Sequence, residues 1–235
     1  MQLFYNPSVD ENDAFISFPK AESRHILKVL RKKTGDELLV TNGKGNLFSA
    51  TITEISNSKC IAKVNSVKTD EKKSFSIHIA IAPTKKNDRF EWFLEKATEI
   101  GIDKITPIIC DHSERKVVKL DRFERVLQSA LKQSLQYTIP TIEEPLSFQE
   151  FINKKTTDSC FIAHCEEDEE KNPLKNNIEL HQNYTILIGP EGDFSSEEIK
   201  TAIHKNYKPV SLGKNRLRTE TAAIVACHTI NLAHE

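Results

Sequence analysis

No Cys-x-x-Cys pair occurs in this chain of 235 residues, and its five cysteines, at 60, 110, 160, 165 and 227, are odd in number. A zinc site needs closely spaced ligands and a disulfide framework needs pairs, so neither a metal nor a staple is expected. Reduced cysteines fit a cytoplasmic protein. No apolar run approaches the roughly 20 residues that a membrane span requires. The first residues carry no basic region followed by an apolar stretch, so no signal peptide is expected. Gly-x-Gly-x-x-Gly, a P-loop and a Gly-x-Ser-x-Gly elbow are all missing. Nicotinamide, nucleoside triphosphate and hydrolase-triad chemistry therefore lose support. No internal repeat or low-complexity tract is found. Net charge is −1, which exerts no global pull on nucleic acid.

What is present is enough for a core and a solvated surface: 38% apolar and 29% charged residues, in a length that suits one large domain or two small ones. Charge is separated along the chain. Lys20, Arg24, Lys28, Arg31, Lys32 and Lys33 stand against Glu22, whereas 166–170 is wholly acidic. The first seventy or so residues alternate β-like runs, at 37–41, 47–55 and 60–67, with turn residues at Gly35, Asn42-Gly43-Lys44-Gly45 and Asn57-Ser58. A helix is expected over 21–32. Its Ile26, Val29 and Leu30 would share one face, and Arg24, Lys28 and Arg31 the other. That basic stripe reads either as a solvated helix face or as a phosphate-contacting surface.

A polar linker, 69–74, precedes a change of rhythm. Strands are expected at 77–82 and 104–110, around an amphipathic helix at 88–100 that Gly101 would end. This order builds parallel sheets. A second helix is expected over 121–136, with Asp121 and Glu124 spaced as a capping box. Buried strands follow at 159–163 and 185–188. Ser195 and Glu198 announce a further helix, and 221–233 reads as a helix that is apolar nearly all round, for a core or a subunit interface.

Two segments carry the chemistry: Ile186-Leu-Ile-Gly-Pro-Glu-Gly-Asp-Phe-Ser195 and Leu212-Gly-Lys-Asn-Arg-Leu-Arg-Thr-Glu-Thr-Ala222. Each runs from apolar residues through glycine into a helix, so each exposes backbone groups at a helix start. Gly189 and Gly192 allow close approach to a ligand, and Pro190 stiffens the turn between them. Glu191 falls where open α/β sheets hold ligands. Read singly, the first segment is also compatible with an ordinary strand-to-helix turn. In the second, Thr219 could be a plain N-cap. Arg218 fits that reading poorly, because the helix dipole disfavours a cation there. An arginine so placed calls for an anionic or carbonyl partner.

At these residues the chain resembles the RsmE-type 16S rRNA (uracil-N3) methyltransferases of the SPOUT superfamily. His25–Arg31, Gly35-Asp36 and Asn42–Gly45 resemble that family's PUA-like RNA-binding domain. Lys86, Arg89, Lys96, Glu99 and Gly101 match its first βα unit. Glu114-Arg115 and Gln133-Ser134 with Pro140 match later segments, and the two loops match its cofactor signatures. The chain departs from the family at Asp193, where a second glycine is frequent, at Gln136, where an arginine is frequent, and at Asn215-Arg216 in place of Arg-Ile.

The resemblance implies an α/β SPOUT domain with a C-terminal trefoil knot over 74–235, preceded by a small β-rich PUA-like barrel over 1–70. It implies S-adenosyl-L-methionine as cofactor, a homodimer with its active site at the interface, and a uridine of 16S rRNA in the small ribosomal subunit as substrate. On this reading Arg218 and Glu220 are the catalytic candidates. The cofactor is expected on Ile188, Gly189, Pro190, Glu191, Gly192, Leu212, Gly213, Leu217 and Thr221. RNA is expected on Arg24, Lys28, Arg31, Lys86, Arg89 and Arg115, with help from Lys85. Competing readings are an enzyme of the same superfamily acting on another RNA and a non-catalytic RNA-binding protein.

Overall fold

The structure, a computed structural model, describes residues 2–56, 59–71, 73–166 and 171–235. The turn at Asn57-Ser58, Lys72 of the linker and most of the acidic run, 167–170, lie outside the described residues. Two compact units are present. One comprises Met1–Lys72 with Leu131–Ile139, the other Lys73–Ala130 with Pro140–Glu235.

The first unit is built on β1 (Leu3–Tyr5), β2 (Phe15–Ser17), β3 (Glu37–Thr41), β4 (Asn46–Ile55) and β5 (Cys60–Thr69), in the order β1-β3-β4-β5-β2. Alternation along β4 turns Phe48, Ala50 and Ile52 into a core shared with Phe4, Ile16, Val40 and Ala62. The turn before β4 needs glycine. At Gly43, φ is +75°, and a Cβ would lie 2.7 Å from the Tyr5 ring. Residues 131–139, which the sequence reading gives to the second domain, are tied to this turn. The Thr41 hydroxyl and Gly45 N–H both donate to the Tyr137 carbonyl, each at 2.9 Å.

The helix expected over 21–32 is shorter and changes form. The α-helix α1 covers Lys20–Arg24, and a π-helical stretch continues over His25–Val29. There Leu30 N–H donates to the His25 carbonyl at 3.0 Å. Arg31, with φ +56°, lies beyond it in the left-handed region. The widened turn breaks the 3.6-residue spacing. Ile26 is fully buried, but Val29 is 67% exposed, so the two do not share a buried face. Arg24, Lys28 and Arg31 are all exposed, but not as one α-helical stripe. Ser23 anchors the start: its buried hydroxyl donates to the Phe18 carbonyl and accepts from Cys60 N–H.

The second unit holds β6 (Ile77–Ile81), β7 (Lys104–Ile109), β8 (Thr141–Ile142), β9 (Leu146–Ser147), β10 (Ser159–Ala163), β11 (Asn172–Pro173), β12 (Tyr184–Ile188) and β13 (Lys208–Ser211). Their order is β11-β13-β10-β12-β6-β7-β8, with β9 also on β7, and the pairings are parallel. Every residue of β6 and β12 is buried, as central parallel strands require. The helices are α2 (Asn87–Ile100), α3 (Leu120–Ser134, of which the residues from Leu131 on are grouped with the first unit), α4 (Phe148–Ile152), α5 (Ser196–His204) and α6 (Thr219–Leu232).

Ala80, Ile108, Ile162 and Leu187 pack against Phe148 and Phe151 of α4 and against Ile199 and Ala202 of α5. Helix α6 packs on α2, β6 and β12. Gly101 ends α2 at φ +99°, as its position predicts. Ser195 and Glu198 form the expected capping box. Helix α3 starts at Leu120, so Asp121 lies in its first turn rather than at its cap. No helix among the described residues is long and apolar enough to cross a membrane.

The chain leaves β12, forms α5 and returns as β13 on the far side of β10. The segments following β6, β10, β12 and β13 therefore share the carboxyl edge of one sheet, where parallel α/β folds place ligands.

Candidate functional site

The loop after β12 is pinned by its carbonyls. Ile188 C=O accepts from Ala82 N–H at 2.9 Å, and Pro190 C=O from Asp193 N–H at 3.0 Å. Gly189 C=O accepts from the Thr219 hydroxyl at 3.1 Å. Arg216 reaches the Glu191 carbonyl at 3.5 Å. His112 Nδ1 lies 3.2 Å from the Gly192 carbonyl and 3.1 Å from that of Asp193, so it must carry the proton. By contrast, the N–H groups of Glu191 and Gly192 have no protein partner among the described residues. A short run whose acceptors are used and whose donors are open suits a ligand rich in acceptors.

Side chains reinforce the same loop. A Cβ on Gly189 would sit 3.0 Å from the Phe194 ring and 3.2 Å from its backbone nitrogen, so glycine lets the chain turn there. Asp193 adopts φ +65°, a conformation that aspartate tolerates better than most residues. Its carboxylate accepts from Cys165 N–H at 2.7 Å and from Phe194 N–H at 2.8 Å. The departure at 193 thus supplies a tie to the loop after β10 that glycine could not make. Glu191 accepts from Lys85 N–H at 3.0 Å, and the Lys85 ammonium meets Glu114 at 2.7 Å. That hydrogen bond holds the Lys85 pKa above the ordinary lysine value.

Two adjoining cavities open at this edge. One, of about 320 Å³, is lined by Ile188, Gly189, Pro190, Glu191, Leu217 and Arg218, among others. The other, of about 440 Å³, is lined by Leu212, Gly213 and Leu217, together with Ala163, His164 and Lys171. Cys165, Arg216 and Ala222 line both. Both volumes fall in the range of small-molecule pockets. Gly192 and Thr221, expected among the cofactor residues, line neither cavity. Ala163, His164, Cys165 and Lys171 escaped the sequence reading. The strand at 159–163 was visible, but its place beside β12 and β13 was not.

Arg218 is the N-cap residue of α6, in place of Thr219, which begins the helix and spends its hydroxyl on Gly189. The Arg218 side chain is exposed and makes no ion pair among the described residues. Glu220 is buried and pairs with Arg89 of α2 at 3.7 Å, not with Arg218. It lines neither cavity. Lys86 is exposed just before α2, and the Arg115 Nε donates to the Val117 carbonyl at 2.9 Å. Arg24, Lys28 and Arg31 belong to the first unit and have no ion-pair partner among the described residues.

The chain matches an RNA methyltransferase domain over residues 71–231 and an RNA methyltransferase PUA domain over 18–65. A Rickettsia conorii protein named Ribosomal RNA small subunit methyltransferase E is 31% identical, over 98% of this chain and 95% of that protein. The chain belongs to this methyltransferase family. Among solved structures, a probable rRNA-methyltransferase from Porphyromonas gingivalis is 40% identical with a TM-score of 0.91, covering 100% of this chain and 98% of that one. A Neisseria gonorrhoeae Ribosomal RNA small subunit methyltransferase E, bound to S-adenosyl methionine, is 26% identical with a TM-score of 0.82, covering 100% and 98%. The family match makes the N-terminal unit PUA-like and the parallel-sheet unit a methyltransferase domain, and both glycine loops lie within the matched methyltransferase range.

Proposed function

We propose that this protein transfers the methyl group of S-adenosylmethionine to N3 of a specific uridine in 16S rRNA of the small ribosomal subunit. The observation that carries the reading is the pair of adjoining cavities at the carboxyl edge, walled by both glycine loops and lined on one side by Glu191, whose N–H has no protein partner among the described residues. Membership of the methyltransferase family and the cofactor-bound Neisseria relative support it. The same reading includes a deep trefoil knot in the C-terminal domain, a homodimer with its active site at the interface, and a cytoplasmic location.

The residues present fit the cofactor. Ile188, Leu212, Leu217, Ala163 and Ala222 offer apolar walls for an adenine ring, and the loop N–H groups offer donors to its acceptors. When bound, S-adenosylmethionine supplies a methyl group on a positively charged sulfur. Uracil N3 carries a proton that must pass to solvent water before or during transfer, as the new N–C bond replaces the S–C bond and the neutral thioether leaves. Arg218, free at the cavity rim, would hold the resulting anion through uracil O2 or O4. Gly189 and the Asp193 tie keep the loop in place, so that the two reactants meet in line. Glu220, buried against Arg89, is a positioning residue that fixes the start of α6 and thereby Arg218. Arg24, Lys28 and Arg31 contact RNA phosphates, with Lys86 and Arg115.

The test is methyl transfer from labelled S-adenosylmethionine to small subunits lacking their native methylation, followed by nucleoside analysis. N3-methyluridine is expected. Cofactor binding without incorporation would point to another RNA target. Absence of both would favour a non-catalytic RNA-binding protein.

A further inference from the structure

At the opposite, amino edge of the parallel sheet lies a hollow of about 720 Å³ that the proposed reaction does not use. It is framed by the turn after α4 and the turn after α5. Its floor is Ile152 and Tyr207, which are 2% and 5% exposed. Burial raises the Tyr207 phenol pKa far above its ordinary value, so this floor stays uncharged. Its rim is Lys154, Lys155 and Lys205 with Thr156 and Thr157, and no carboxylate lines it.

The backbone fixes this arrangement. Helix α5 is capped by Lys205, and Asn206 takes φ +67°, which turns the chain so that Tyr207 enters the core while Lys205 stays outside. Tyr207 N–H then donates to the Ala202 carbonyl at 3.0 Å. On the other side Lys154 N–H donates to the Phe151 carbonyl at 3.0 Å, closing α4. Lys154 is shared with Glu143 at 3.5 Å. Lys155 and Lys205 have no ion-pair partner among the described residues.

We propose that this lysine-rimmed hollow is a second RNA-backbone contact, separate from the catalytic edge. Unneutralised lysines beside hydroxyl donors suit phosphate oxygens. Strands of four or five residues separate the two edges by roughly 15 Å. A folded RNA as large as a ribosomal subunit can reach both at once. The proposal rests on the RNA-substrate reading, but its readout is binding and not methyl transfer, so the two can fail separately.

The experiment measures affinity of the full-length protein for small subunits and for 16S rRNA, across salt concentrations, in wild type and in the Lys155→Glu/Lys205→Glu variant. A Lys155→Gln/Lys205→Gln variant guards against misfolding, and S-adenosylmethionine binding and the thermal midpoint are followed in parallel. Affinity is expected to fall about tenfold or more at low salt, and the slope of log K against log salt to become shallower by roughly 1.5, as loss of two phosphate contacts requires. Cofactor binding and the thermal midpoint should stay unchanged. An unchanged slope in both variants overturns the proposal. So does inorganic phosphate binding in the hollow, seen by chemical-shift titration, if RNA affinity is unaffected by the substitutions, since the site would then serve a small phosphate ligand.

Discussion

Arg89 of α2 and Glu220 of α6 form a 3.7 Å ion pair in which the carboxylate is buried and the guanidinium partly open to solvent. The second Glu220 oxygen, Oε2, is buried without a hydrogen-bond partner among the described residues. This pair joins the helix after the first βα loop to the helix that carries Arg218 at its cap.

Arg89→Ala would leave Glu220 buried and unpaired. A loss of about 1 to 2 kcal/mol in stability is expected, below the value for a fully buried pair because Arg89 is partly solvated. Adding Glu220→Gln should recover most of it. Chemical denaturation of the two variants measures both effects, and an unaltered midpoint in Arg89→Ala would dismiss the coupling.

Arg218→Ala should lower turnover by about two orders of magnitude while cofactor affinity is retained. Single-turnover methylation beside calorimetric titration of S-adenosylmethionine separates the two quantities. Lost cofactor binding with intact chemistry would move Arg218 from the reacting base to the cofactor.

Asp193→Gly keeps the left-handed backbone but deletes the bonds to Cys165 and Phe194. Cofactor affinity should fall by about tenfold, a charged hydrogen bond being worth roughly 1.5 to 3 kcal/mol. Asp193→Ala should fall further, because it adds backbone strain. Equal affinity in wild type and Asp193→Gly would show that the tie does not hold the loop.

His78 gives a pH dependence unrelated to catalysis. Burial, and then Lys104, push its pKa down to about 4. Its ring bonds Thr106 at 2.7 Å and lies 3.3 Å from the Thr185 hydroxyl. Below pH 6.5 the unfolded chain takes up the proton first, so this contribution is complete above pH 6.5 and declines as pH falls to about 4. Its full size is about 3 kcal/mol. Glu143 acts lower. Burial opposes its ionisation, but hydrogen bonds from Lys104 and Thr106 bring its pKa to about 2, and its contribution is lost between pH 4.5 and about 2. Thermal midpoints of wild type and His78→Gln between pH 7 and 4 should converge as pH falls. Parallel curves would assign the dependence elsewhere.

Much of the fold was legible because the local signals agreed. Strands at 37–41 and 159–163 are found as read, and Gly101, Ser195 and Glu198 mark helix ends by local hydrogen bonding alone. The helix at 21–32 was misjudged because apolar spacing cannot register an inserted π turn, which Ser23 and its partners on Phe18 and Cys60 accompany. Both glycine loops were readable from their residues. The third wall of the cavities, around Cys165, was not, since only strand order brings it beside them.

By itself the sequence determined what each segment could do: which runs bury, where backbone turns, and which loops present donors. These follow from side-chain chemistry and short-range geometry. Tertiary structure decided which of these meet. Crossing β10 between β12 and β13 placed four loops on one edge, gave Arg89 to Glu220, and set Lys155 and Lys205 together at the other edge. Such pairings depend on the order of strands in the sheet, which is settled by the packing of the whole domain and has no signature within any one segment.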